Sequence, residues 1–109
     1  MEEKEDLSLL VYNFLNSIRA KEIPESKIKE FLDFVDKLKK GTEIQRRRFF
    51  MFFDVKENQK LETYTSISKK ENCTCNAIRG SVTRIRSHLV WLKDEERNNL
   101  IKIIKSDKV

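Results

Sequence analysis

Apolar residues recur at helical spacing along the whole chain, in blocks parted by short polar stretches that hold its Pro, one of its two Gly and an Asn-centred turn. In the first block Leu7, Leu10, Val11, Phe14, Leu15 and Ile18 trace one stripe. Leu9 and Tyr12 broaden that stripe towards a second neighbour. Asp6 is placed to cap this helix, which is expected to run to about Arg19 or Ala20. Pro24 breaks the pattern, because it pushes Ile23 out of helix and suits a first helical turn. The second block, from Pro24 or Glu25 to Lys40, puts Ile28, Phe31, Leu32, Val35 and Leu38 on one face and stops at Gly41. These two helices are expected to form a hairpin. It is too short to stand alone, so it must pack on the rest of the chain or on a second copy.

Thr42 caps the third block, whose stripe is Ile44, Phe49, Phe50 and Phe53, with Met51 and Phe52 towards another side. So dense a run of phenylalanine reads as the core of a small helical protein rather than as a ligand pocket. Asp54 to Glu62 is a polar loop. Thr63 then caps a short helix by accepting the N–H of Ser66, with Tyr64 and Ile67 facing inward. Asn72 tolerates the left-handed conformation of a tight turn. Thr74 caps a fifth helix, in which Ile78, Val82, Ile85 and Leu89 face a core. A last helix follows from about Asp94, its expected cap, to Lys105, carrying Leu100, Ile101, Ile103 and Ile104. Trp91 is expected to bury against it.

The fifth helix changes the picture from fold to function. Its other face carries Cys75, Asn76, Arg79, Thr83, Arg84 and Arg86, and no Asp or Glu lies between Glu71 and Asp94. A capped helix, a turn and a second helix with a polar and basic face is the layout of a helix-turn-helix, whose second helix lies in a DNA major groove. Charge agrees with it. Residues 1–41 hold eight Lys/Arg against nine Asp/Glu, net −1, and residues 42–109 hold fifteen against nine, net +6. A polyanion is therefore expected on the second part.

Tyr64-Thr-Ser-Ile67-Ser, Cys73-Thr74 and Ile78-Arg-Gly-Ser-Val82-Thr-Arg84-Ile-Arg86-Ser-His-Leu89 resemble region 4 of bacterial sigma factors. There a Tyr-x-x-Ile-Ala helix, an apolar-Ser/Thr turn and a Val-x-x-x-Leu-x-Arg-Ala-x-x-x-Leu helix follow in the same register. Thr42 to Phe53 resembles the helix that opens that domain. The wording is nearest to small region 4-like proteins of Gram-positive bacteria and their mobile elements. Ser68 and Ile85 replace the family's Ala, Gly80 sits inside the recognition helix, and Val55 to Glu62 is longer than the usual loop. The resemblance runs roughly from Thr42 to Leu92.

It leaves the first forty residues unaccounted for; joined to the helical pattern on either side, it gives an all-α protein, with residues 1–41 as an amino-terminal helical hairpin, for packing or dimerisation, and residues 42–109 as a region 4-like DNA-binding domain with an added carboxy-terminal helix. Cys75, Asn76, Arg79 and Gly80 are the candidate base-reading positions; Asn76 suits an adenine edge and Arg79 a guanine. Thr65, Thr74, Thr83, Arg84 and Arg86 are the candidate phosphate contacts, with an internal salt bridge as the other role for Arg84. Arg46, Arg47 and Arg48 suit DNA phosphates, acidic residues of a partner, or simply solvent. Cys73 falls where the family has a buried Val or Ile, and Cys75 is expected to be exposed near DNA, as an inert thiol or a redox switch.

The remaining chemistry narrows the function. Cys73, Cys75 and the lone His88 do not make a structural zinc site, and the two cysteines are too close to pair without strain. No phosphate loop, nucleophile set or paired carboxylates at metal-ligand spacing is present, so neither a cofactor nor an enzyme activity is expected. No apolar run approaches the roughly 20 residues of a membrane span. The acidic start, Met1 to Asp6, does not resemble a secretory signal, which places the expected protein in the cytoplasm. Three readings stand. One is a transcriptional regulator on double-stranded DNA, touching RNA polymerase as well. The second is a module that binds polymerase or another protein without reading DNA. The third is a homodimeric repressor or mobile-element accessory protein, with the outer helices as its dimer interface and half-sites about 34–36 Å apart.

Overall fold

Local hydrogen bonds set most of the helix boundaries. The computed structural model describes residues 6–106, which hold six α-helices and no strand. Met1 to Glu5, most of the acidic start, lie outside the described residues, as do 107–109. Helix α1 spans Leu7–Arg19, and the Asp6 carboxylate accepts from the N–H groups of Ser8 and Leu9. Helix α2 is Glu25–Leu38, α3 is Glu43–Phe53, α4 is Tyr64–Glu71, α5 is Cys75–Val90 and α6 is Asp94–Lys105. Three threonines do the same service for three helices. Thr42 caps α3 through Gln45 N–H, Thr63 caps α4 through Ser66 N–H, and Thr74 caps α5 through Ala77 N–H.

One buried cluster joins five of these helices and the loop. It takes Val11, Phe14 and Ile18 from α1, Ile28, Phe31 and Val35 from α2, and Phe49 and Phe53 from α3, along with Val82, Ile85 and Leu89 from α5 and Leu100 from α6. Helices α1 and α2 meet edge to face through Phe14 and Phe31, with ring centroids 5.0 Å apart, and α6 packs on both. Lys27 of α2 ties down the end of α6 by donating to the carbonyls of Ile104 and Ser106, at 2.9 and 2.6 Å. Helices α1 and α2 and the last helix therefore cover each other.

Several expected contacts are redirected. Leu9 and Tyr12 do not widen the apolar stripe of α1; they are 56% and 51% exposed. Ile44 is half exposed too, because the capping turn of α3 carries it away from the cluster that Phe49 and Phe53 enter. Trp91 does not bury against α6. It stands at the C-cap of α5, 74% exposed, and Leu92 takes the inward place instead. Helix α2 ends at Leu38, not Lys40, with Lys39 in the left-handed conformation; Gly41, also left-handed, shapes the approach to α3. Asp94 does not cap α6: Lys93 holds that position without a side-chain bond, and Asp94 is itself left-handed at φ +55°. The loop 54–62 buries Val55, and Cys73 is half buried rather than a core residue. No helix among the described residues is long and apolar enough to cross a membrane.

Candidate functional site

Two helices and a turn build the candidate surface. Helix α4 ends at Asn72, whose φ of +53° and ψ of 52° turn the chain sharply, and Cys73 N–H closes the turn on the Ser68 carbonyl at 3.0 Å. Helix α5 then leaves with Ile78, Ser81, Val82, Ile85 and Leu89 buried against the cluster. Ser81 joins this inward face because its hydroxyl bonds to the Ala77 carbonyl and accepts from Arg48. Packing of that face fixes what the opposite one offers.

That opposite face holds Asn76, Arg79, Gly80, Thr83, Arg84 and Ser87 around one shallow groove. All six are exposed. Ser87 is the member that the sequence pattern did not single out, although it lies one helical turn beyond Thr83 and Arg84. Gly80 opens the middle of the groove, since no atom beyond its chain neighbours and its own helix backbone lies within 4 Å of where a Cβ would be. Arg84 makes no ion pair among the described residues, which leaves its charge available.

The other candidates sit apart from this groove. Arg86 is half buried beside Leu9 and Tyr12 of α1 and its capping residue Asp6. Thr74 and Thr65 are exposed, but the Thr74 hydroxyl is engaged in its cap. Cys75 is half buried rather than freely exposed, and its Sγ lies 3.6 Å from Ser68 Oγ and 3.7 Å from Thr65 Oγ1. These hydroxyls, that of Ser68 foremost, and the charge of Arg79 lower the thiol's pKa. Its thiol therefore faces α4 as much as solvent.

Arg79 is held rather than free. Its Nη1 donates to Asn76 Oδ1 at 3.3 Å, and its guanidinium lies 5.4 Å from the ring centroid of Tyr64. Tyr64 stacks on Phe52, with centroids 4.5 Å apart and planes 8° from parallel. Sequence spacing gave no hint of this contact, because Tyr64 and Arg79 lie on different helices across the Asn72 turn.

The three arginines of α3 have work inside the fold. Arg46 donates to the Lys40 and Gly41 carbonyls. Arg47 and Arg48 both bond the Glu71 carboxylate, at 2.6 and 3.3 Å, and Arg48 also reaches Ser81. Arg48 thus bolts α3 to the end of α4 and to α5 at once. A recess between α3, the 54–62 loop and α4 is basic by composition, and three of its cations, Arg47, Lys56 and Lys70, are paired internally. Lys56 pairs with Asp54 at 3.2 Å and Lys70 pairs with Glu62.

Glu71 makes this bolt sensitive to acid. The hydrogen bond from Arg47 foremost, then that from Arg48, holds its carboxyl below the usual carboxylate range against an opposing effect of burial. Glu62 is held low in the same way by Lys70 and then by Ser66. A carboxylate with a depressed folded pKa stabilises fully above its unfolded value, about 4.3, and loses that contribution as pH falls through the folded value. The melting temperature should therefore drop as the pH falls below about 4.3, and the drop should be shallower in Glu71→Gln. An acid profile in Glu71→Gln that overlays the parent would remove Glu71 from the account.

No family model matches the chain, and neither the curated proteins nor the solved structures yield a match.

Proposed function

We propose that this chain is a sequence-specific DNA-binding transcriptional regulator of sigma region 4 type, reading promoter or operator DNA by laying α5 in the major groove. In this reading α4 and α5 are the helix-turn-helix, α1 and α2 are an amino-terminal helical hairpin, and α6 is an addition to the domain. The observation that carries it is the two-sidedness of α5. One face is buried, while the other presents Asn76, Arg79, Gly80, Thr83, Arg84 and Ser87 together in the open, with no carboxylate among them. Asn76 and Arg79 are side chains of the kinds that pair with adenine and guanine edges, and Arg84 and Thr83 suit the phosphates beside them. Such a reader works in the cytoplasm and performs no chemistry on its ligand.

Fluorescence anisotropy on random duplex DNA across a salt series tests this. Binding should weaken steeply with salt, because phosphate contacts release counterions. Arg84→Ala should weaken binding to all sequences alike and reduce the salt slope by about one. In a subsequent site selection Arg79→Ala should relax preference at one base pair, a loss of roughly 1–3 kcal/mol of discrimination. Absence of binding at low salt would overturn the proposal.

One observation favours a second reading. Trp91, Leu9 and Tyr12 are large apolar side chains left in solvent, as expected of a module that binds RNA polymerase, another protein or a second copy without reading DNA. Copurification of polymerase with a chain that ignores DNA would decide for it.

A further inference from the structure

We infer that Tyr64 is a positioning residue for Arg79, and that it is itself held by Phe52 and, behind that, by Arg19 of α1. The inference rests on Arg79 reading a base, as proposed above, but the contact on which it is built belongs to the free protein.

A guanidinium on an open helix face samples many rotamers, and a base contact must freeze them at a cost to affinity. Arg79 meets its ligand with part of that ordering done. Asn76 accepts from it along α5, and the Tyr64 ring lies 5.4 Å away on α4. A cation over an aromatic ring is attracted by the ring's negative face, and the attraction depends on the ring staying in place.

The ring is kept in place by a relay of contacts. Tyr64 lies nearly parallel to Phe52, at 4.5 Å. The Arg19 guanidinium lies over Phe52, 3.8 Å from its centroid, and its Nη1 donates to the Phe52 carbonyl at 2.9 Å. Partial burial of Arg19 lowers its pKa, and its half-buried position anchors the far end. The series Arg19, Phe52, Tyr64, Arg79 thus runs from α1 through α3 and α4 to α5. Residues outside the α4–α5 pair take part in setting where the base-facing arginine points.

The test compares Tyr64→Phe with Tyr64→Leu in a binding-site selection, alongside Arg79→Ala and the double variant Tyr64→Leu/Arg79→Ala. Tyr64→Phe keeps the ring and should keep the parent preference. Tyr64→Leu should lose about two- to fivefold of the preference, the worth of an exposed cation–π contact. The loss should fall at the same base position that Arg79→Ala relaxes, and the double variant should be no worse than Arg79→Ala alone. Where Arg79→Ala relaxes the preference, an unchanged preference in Tyr64→Leu, or losses that simply add in the double variant, would overturn the inference. Side-chain NMR of the DNA-free protein separates its failure from that of the DNA reading. The Arg79 side-chain protons should show ring-current shifts that survive in Tyr64→Phe and vanish in Tyr64→Leu. If those shifts are absent from the parent protein, Tyr64 does not position Arg79. If they behave as stated while Arg79→Ala leaves site selection unchanged, the positioning holds and the base-reading role of Arg79 is what fails.

Discussion

Phe31→Ala should cost about 3–5 kcal/mol of folding stability and lower the melting temperature by roughly 12–25 °C. Phe31 is fully buried, and its ring sits between Phe14 of α1, at 5.0 Å, and Phe49 of α3, at 6.3 Å. From Phe49 the contacts continue to Phe53 at 4.7 Å and from Phe53 to Phe52 at 5.0 Å. Removing Phe31 therefore takes away the transfer free energy of one large ring and leaves a void where three helices meet. Those neighbours are rings and a helix backbone that cannot collapse far. A domain of this size has only about 5–15 kcal/mol to lose, so the variant should be partly unfolded near body temperature. Phe31→Leu, which keeps most of the volume, should cost less than about 1.5 kcal/mol. Equilibrium urea unfolding followed by circular dichroism measures both. A loss under about 1 kcal/mol in Phe31→Ala would mean that α1 and α2 do not share this core in solution.

Gly41→Ala should be the second most damaging change, at about 2–4 kcal/mol, although it adds only a methyl group. Two costs combine. The φ of +74° at this position is left-handed, and a side chain there costs roughly 1–2 kcal/mol. A Cβ would also stand 2.7 Å from Ile85 Cδ1 and 2.9 Å from Gln45 Oε1. Ile85 is buried among the cluster residues and has little room to move. Gln45 Oε1 accepts the Thr42 N–H in the capping box that starts α3, so moving it unfastens that cap. The same substitution at Gly80 meets open space and ordinary helical backbone, which makes it the natural control. If Gly41→Ala melts no lower than Gly80→Ala, the turn between α2 and α3 is not as described.

What could be read from the sequence follows the range of the interaction. The caps at Asp6, Thr42, Thr63 and Thr74 are bonds across two or three residues, and the residue types announce them. The stripe Ile78, Val82, Ile85 and Leu89 and the left-handed Asn72 were legible for the same reason. Leu9, Tyr12, Ile44 and Trp91 were not, because hydropathy says that a side chain can be buried and not whether a neighbour arrives to bury it. The grip of Arg47 and Arg48 on Glu71 was invisible, since its partners lie more than twenty residues apart on different helices. In the candidate surface the exposed face of α5 followed from periodicity. The hold of Tyr64 on Arg79 and the inward turn of the Cys75 thiol depend on how α4 packs across α5. Only the folded arrangement supplies that.

The exposed position of Trp91 decides how this protein can be watched. It is the one tryptophan in the chain, and at 74% exposure its indole already samples water in the folded state. Its emission should be red in the native protein and should change little on unfolding, so a fluorescence melt would be nearly blind to the loss of the core. The same indole sits at the end of α5, pointing into solvent beside the buried Leu89 and Leu92. A blue shift at constant temperature would report something arriving at that end of the molecule.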